Sequence, residues 1–435
     1  MSIPLDRLYH YIESIAQDIR EDNVVIYRFS PHGSKKLEDL NVLRNHSWKT
    51  QSLVPHIYCY DQEPLDYQLY SNTYNTDPVW KQRIIDSGIE LPDLNIQRGQ
   101  LSIYDKNILL HSEQRSGNVV KYSDSNFIPV YYWSHALIAR DWFRYAEHVT
   151  QKKTVQQLFL VYNRAWSGTR EYRLGFADRL IMLGLVDHVR MRVSPVDSTI
   201  DKHYDLYQFE HAHWRPRNVI EKHFPLCEAD SHYSADFDQE DYESTSIEVV
   251  LETLFDDLRL HLTEKTLRPI ALRQPFILAG TYGSLKYLRD YGFKTFSDCW
   301  DESYDMMTDS IERMNKITDI MSNIISMPAD KQAEMLARAQ AIADYNQQHF
   351  FSEAFQNQII QELKNNLHTG LVQLESNNTS QRYINWRKLF STKPLLKPHL
   401  IGNGQLVVSD NRSRQDIASV VGRARQYYLR SLSNT

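Results

Sequence analysis

Three cysteines in 435 residues, Cys59, Cys227 and Cys299, are too few and too scattered for a disulfide framework, and none belongs to a CxxC pair that would hold zinc. Reduced thiols are expected. Glycine (14) and proline (15) are both scarce, which excludes collagen-like and linker-like chains. No apolar run approaches the roughly 20 residues that a membrane-spanning helix needs, and no membrane partner is expected. The opening residues 1–14 carry acids early and no apolar core, so a secretory signal is not expected and the cytoplasm is the expected location. Positive charge is in deficit, 49 lysines and arginines against 55 acids, so any nucleic-acid surface has to be local. Internal repeats and low-complexity runs are absent.

What is present reads as a globular α/β chain, too long for one core and suited to two domains with an appendage. Residues 5–19 place Leu5, Leu8, Ile12, Ile15 and Ile19 on one helical stripe. Residues 24–29 read as a strand leading to a glycine-bearing loop at 30–34, and 35–44 as the helix that follows. Three further apolar runs end in polar, titratable residues. Residues 54–60 lead to Asp61, Gln62, Glu63 and Pro64; 108–110 lead to His111, Ser112 and Glu113; 127–133 lead to Ser134 and His135. Strand carboxyl ends face the ligand crevice in an open α/β sheet, so Asp61 and Glu63 are candidates to take a proton from an acceptor hydroxyl, with Glu113 and then His135 in reserve. Solvated turns and structural histidines remain the other reading of these residues.

Residues 136–157 read as a helix and a polar connector, the expected domain boundary. A strand at 158–162 then meets Asn163, Arg164, a Ser167-Gly168 turn, Arg170 and Arg173, with a helix at 171–183 ending at Gly184. Guanidinium forks beside a glycine turn suit phosphate oxygens, although solvated arginines at a helix start would read the same way. Residues 197–245 are polar and aperiodic, expected as a long loop or lid; the His211 and His213 pair lacks a third ligand at standard spacing, so no metal is expected. After a strand at 247–252, Leu258, Leu260 and Leu262 alternate with Arg259 and His261 as a short strand would. Thr263 is a suitable N-cap and Glu264 would sit at the positive end of a helix, although Pro269 predicts a kink or a later start. A buried strand at 275–279 ends in the turn Gly280-Thr281-Tyr282-Gly283. Two readings are open here: a capped helix and an ordinary turn, or a nucleotide-sugar site in which Glu264 accepts from ribose hydroxyls while Lys265, helix-start amides and the glycine turn face the diphosphate. Helices are expected at 304–325, 328–348 and 350–367. The tail 381–435 is basic and aromatic, a candidate phosphate-backbone contact or a strap on acidic domains.

The run Leu262-Thr263-Glu264-Lys265, followed by Pro275-Phe276-Ile277 and Gly280, resembles the donor motif of fucosyltransferase-like and exostosin-like glycosyltransferases of the GT-B fold. The resemblance implies that Glu264 and Lys265 contact the sugar nucleotide, and those enzymes also place a strand, an Asn and an Arg-bearing helix as in Asn163, Arg164, Arg170 and Arg173. At larger scale, CYDQEPL from Cys59, LLHSE from Leu109, YYWSHALIARDWFRYA from Tyr131 and the block through residue 296 resemble glycosyltransferases of tailed phages, covering most of residues 24–305. Some of these are DNA arabinosyltransferases acting on hydroxymethylated cytosine. The resemblance implies two Rossmann-like domains facing a cleft: an acceptor-side domain at 1–150, a nucleotide-sugar domain at 151–348, and a crossover helix with a basic tail at 349–435. It further implies a UDP-linked sugar donor, hydroxymethylcytosine DNA as acceptor, Tyr131, Tyr132 and Trp133 facing a base, host-cell cytoplasm, and neither cofactor nor metal. A same-fold enzyme acting on a glycan, and a non-catalytic nucleotide-sugar or DNA binder, are the alternatives.

Overall fold

In the computed structural model the described residues are 5–19, 24–28, 41–42, 56–65, 95–97, 100–102, 107–124, 127–146, 153–224, 237–391, 399–401 and 405–407. The chain is α/β with parallel sheets and divides into two compact units. The first comprises Asp6–Ser112, Gly117–Ser134 and Ile360–Thr435; the second comprises Met1–Leu5, Glu113–Ser116 and His135–Ile359. Both are discontinuous in sequence, unlike the three consecutive segments expected.

In the first unit, α1 (Leu5–Ile19) buries Leu8, Ile12 and Ile15 of the stripe read from the sequence, with Ala16 buried beside them and Ile19 half-buried. Its main sheet runs β2 (Asn41–Val42), β1 (Val25–Arg28), β3 (His56–Cys59), β6 (Asn107–His111), β7 (Phe127–Tyr131), parallel except for the β2 edge. Asn41 and Val42 are thus strand where a helix was expected, and the rest of 30–44 lies outside the described residues. Every residue of β6 is buried, as in a parallel strand covered on both faces. One cover is α10 (Glu353–Ser391), whose Asn366 donates to the Tyr131 carbonyl (2.8 Å) and whose Gly370 lies so close that an added Cβ would meet Val130 Cγ2 at 2.6 Å. A smaller antiparallel sheet joins β4 (Asn95–Gln97) and β5 (Gln100–Ser102) to β15 (Gln405–Val407) and β14 (His399–Ile401). The side chains of the basic tail lie outside the described residues.

The second unit has a four-stranded parallel sheet, in the order β13 (Phe276–Ala279), β12 (Thr245–Leu251), β8 (Gln157–Asn163), β9 (Val189–Val193). Strand order reverses between β8 and β12, which makes their carboxyl ends, Asn163 and Leu251-Glu252, the topological switch point where open α/β sheets take ligands. Helix α4 (Tyr172–Met182) follows β8, and α6 (Glu264–Ala271) connects to β13. Residues 258–262 form no strand; among the described residues their one ladder contact is the antiparallel bridge of Leu260 to Gln114, with both N–H···O distances 2.9 Å. Helix α6 starts at Glu264 and keeps Pro269 inside it, correcting the later start that the proline suggested; an eight-residue helix loses one ladder donor by it. The 197–245 segment is docked where described: Glu171 accepts from the amides of Glu210 and His211, Asp178 from those of Arg217 and Asn218, and Trp214 packs where a Cβ on Gly175 would clash at 2.6 Å. Helix α9 (Ala329–Phe351) ends where Arg140 takes the carbonyls of Phe351 (3.0 Å) and Ser352 (3.3 Å). Among the described residues no helix is long and apolar enough to cross a membrane.

Candidate functional site

The switch point of the second unit is organised by Glu252, the residue immediately after β12. Its fully buried carboxylate accepts from the Thr263 amide (2.9 Å) and hydroxyl (2.8 Å), the Thr266 amide (3.3 Å) and hydroxyl (2.6 Å), and the Thr253 amide (2.9 Å). Burial pushes this carboxyl up, but the nearby Lys265 charge and the Thr266 and Thr263 hydrogen bonds outweigh it and hold the group below its usual range. A chain carboxylate therefore occupies the start of α6. Thr263 is the N-cap, as its sequence position implied.

Glu264 and His135 are both buried here. Glu264 Oε1 lies 2.6 Å from Lys265 Nζ and Oε2 lies 3.4 Å from His135 Nδ1, so one carboxylate faces two cationic or titratable groups. His135 also stacks edgewise on His261, with ring centroids 5.3 Å apart. The Gln114–Leu260 bridge brings the 113–116 segment alongside: buried Glu113 pairs with Arg259 (3.3 Å), which also pairs with Asp257 (2.6 Å). Arg115 donates to the Tyr282 carbonyl (2.6 Å) and lies over its ring, 3.8 Å from the centroid.

The glycine turn after β13 has the geometry read from the sequence and a different use of its amides. Gly283 has φ of 78°, a left-handed conformation that favours glycine, and Gly280 is packed so that a Cβ would meet Ser284 Oγ at 2.7 Å. The Gly283 amide donates to the Asp305 carbonyl (2.6 Å), and the amides of Leu285 and Lys286 donate to the Asp305 carboxylate at 2.8 and 3.1 Å. Similarly, at the exit of β8, Asp197 Oδ2 takes the amides of Trp166 (2.8 Å) and Ser167 (2.7 Å), and the Tyr207 hydroxyl accepts from the Gly168 amide (3.0 Å). Burial raises the Asp197 carboxyl, but hydrogen bonds from Thr199 and the Ser167 amide hold it below the usual range.

The arginines expected as a group separate here. Arg173 is buried and donates to the carbonyls of Ala165 (2.6 Å), Leu251 (2.7 Å) and Glu252 (3.0 Å), tying β8, β12 and α4 together. That geometry makes it a strut of the switch point. Arg164 and Arg170 are half-buried on the exit loop. Asn163 is fully buried, and neither polar atom of its side chain has a hydrogen-bond partner among the described residues. His211 and His213 face Glu171 (3.4 Å) and Asp256 (3.6 Å), respectively.

In the first unit, Asp61 is also fully buried at the end of β3. Its Oδ1 accepts from Tyr9 (3.2 Å), its Oδ2 from Tyr132, and its backbone carbonyl from Ser112 (3.1 Å) and Ser134. Burial raises its pKa to about 6, against the lowering effect of the two phenols. The carboxylate thus joins α1 to the end of β7, and the backbone carbonyl joins the ends of β6 and β7. Glu63 is half-buried two residues on. Tyr132 and Trp133 are fully buried, which corrects the expectation that they face a base; Tyr131 is half-buried and packs edgewise on His111 at 5.8 Å.

Sequence reasoning identified Thr263, Glu264, Lys265 and His135, which the fold does bring together. It missed Glu252, Asp197, Asp305 and Arg115, and the available signal was position: Glu252 follows a buried strand directly, where a carboxylate reaches the next helix start. No protein-family model matches the chain, and no curated protein or solved structure does either.

Proposed function

We propose that the chain is a glycosyltransferase of the GT-B type, moving a sugar from a nucleotide sugar to the hydroxymethyl group of a modified cytosine in DNA. The observation that carries this reading is the convergence of Thr263, Glu264, Lys265 and His135 at the β8/β12 switch point, within the unit that holds the fucosyltransferase-like motif. The acceptor and the sugar, a pentose such as arabinose, rest on the resemblance to the phage enzymes.

In such a transfer the acceptor oxygen bonds to the anomeric carbon, the bond from that carbon to the diphosphate oxygen breaks, and the acceptor proton passes to a base. Negative charge grows on the leaving diphosphate and is met by fixed cations. Among the candidate bases, Asp61 has both oxygens on phenols and Glu113 is paired with Arg259, whereas His135 faces a carboxylate, the arrangement that fixes an imidazole's orientation. His135 is the base in this reading, with Glu264 orienting it and Lys265 on the donor side.

The test offers the protein a panel of UDP-sugars and other nucleotide sugars with duplexes containing cytosine or 5-hydroxymethylcytosine, followed by digestion and mass analysis of the nucleosides. A pentose on the hydroxymethylated duplex alone is expected. His135→Gln should lower turnover by roughly 10²- to 10⁴-fold with donor affinity retained, and Lys265→Ala should weaken the donor by about 1.5 to 3 kcal/mol. Transfer to a glycan with none to DNA overturns the acceptor; binding without transfer or donor hydrolysis overturns the enzyme reading.

A further inference from the structure

The strand exits of the second unit are already supplied with anions from the chain itself. Asp197 holds the amides of residues 166 and 167, Glu252 those of 263 and 266, and Asp305 those of 285 and 286. These are the backbone donors that would ordinarily cradle a phosphate. With these six amides taken, an incoming diphosphate calls for side-chain donors as well.

The cations around the turn differ sharply in how they are engaged. Arg173 is taken up by carbonyls, Arg259 by Asp257 and Glu113, Arg268 by Glu248 (2.5 Å), and Lys265 by Glu264. Arg115 is exposed and, among the described residues, has no carboxylate within ion-pair distance. It bonds the Tyr282 carbonyl and covers the Tyr282 ring, which consume one N–H and one face of the guanidinium, and it lies beside Gly283, where an added Cβ would stand 3.7 Å from Nη1. Among the described residues the remaining edge of the fork has no hydrogen-bond or ion-pair partner, and an arginine edge matches two phosphate oxygens. Arg115 is also held in position: its φ of 56° is one that side chains rarely adopt, and the Gln114–Leu260 bridge fixes the backbone beside it. A cation fixed by stacking before the ligand arrives loses little freedom on binding.

We propose that Arg115, clamped on Tyr282, is a ligand for the diphosphate of the nucleotide sugar. The proposal rests on the nucleotide-sugar reading of this unit and adds a residue outside its motif. It also implies that the affinity gained from the diphosphate, relative to the nucleoside alone, comes largely from side chains.

The full chain is titrated calorimetrically with UDP, ADP, GDP, CDP and dTDP, and the tightest of these is compared with its own nucleoside in wild type and in Arg115→Ala, Arg115→Gly and Arg115→Lys. The expected result is a diphosphate affinity lower by about 10- to 100-fold in the Ala and Gly variants, with nucleoside affinity unchanged and Lys intermediate. Arg115→Gly distinguishes ligand from strut, because glycine accepts the backbone angle; its Tm should equal or exceed that of wild type. Unchanged diphosphate affinity in all three variants overturns the proposal and leaves the nucleotide-sugar reading standing. So does an equal loss of nucleoside and diphosphate affinity with a lowered Tm in every variant, including Gly. Absence of nucleoside diphosphate binding in wild type removes the nucleotide reading and the proposal together.

Discussion

Burial and hydrogen bonding pull the Asp61 carboxyl in opposite directions, and burial wins: its pKa rises from 3.8 to about 6 although Tyr132 and Tyr9 both donate to it. The folded protein therefore binds a proton between about pH 4 and 6 that the unfolded chain has released. Stability from this group is fully present below about pH 4 and is lost as pH rises through about 6. At 1.36 kcal/mol per pKa unit the change is on the order of 3 kcal/mol. Urea unfolding of wild type and Asp61→Asn from pH 3.5 to 7.5 should show the variant gaining on wild type across this window. A constant difference between the two would refute it, and any fixed offset from the introduced amide cancels. The sequence singled out Asp61 as a residue at a strand end, but not the phenols that occupy it, since Tyr9 is 52 residues away in sequence and Tyr132 is 71.

At the level of elements, the pairing of α10 with β7 turns on Gly370. Alanine would favour the helix by about 1 kcal/mol, but its Cβ would stand 2.6 Å from Val130 Cγ2 and 3.3 Å from Ile108 Cδ1. Val130 is β-branched with little rotamer freedom, and overpacking of this kind costs about 1 to 3 kcal/mol. Gly370→Ala should therefore lower Tm, a net destabilisation of up to about 2 kcal/mol by thermal or chemical denaturation. A raised Tm would show that the helix does not seat as described. Sequence periodicity identified this helix only to residue 367, whereas it runs to Ser391. The alternation at 258–262 failed for a related reason: Leu258 is exposed while Leu260, His261 and Leu262 are all buried, so the apolar alternation does not carry over into alternating burial, and the segment pairs through the Leu260–Gln114 bridge without forming a strand.

At the scale of the whole molecule the net charge of −6 opposes DNA, so the basic tail must supply the binding surface if the acceptor is DNA. Replacing Arg412, Arg414, Arg423, Arg425 and Arg430 by glutamine should flatten the salt dependence of duplex binding, by about 0.9 log units per log unit of salt for each phosphate that the variant no longer neutralises. Equal slopes for wild type and variant, measured by fluorescence anisotropy from low to high salt, would exclude the tail as the DNA-binding surface. The proposed donor site belongs to the second unit, so protection from hydrogen exchange by nucleoside diphosphate is expected within 113–116 and 135–359.

The sequence by itself determined the α/β class, α1, the buried strands, the Thr263 cap and the cluster of Glu264 and Lys265, because apolar period and capping depend on residues within a few positions of one another. Tertiary structure alone decided that the strand order reverses between β8 and β12, that 113–116 belongs with 135–359, and that Arg173 is a strut while Arg115 lies over Tyr282. Glu252 reaches Thr263 across 11 residues, Asp197 reaches Ser167 across 30, and Arg115 reaches Tyr282 across 167. Such partnerships depend on which strands lie side by side. A run of apolar residues specifies that a strand is buried and leaves its neighbours to be chosen by the packing of the whole chain.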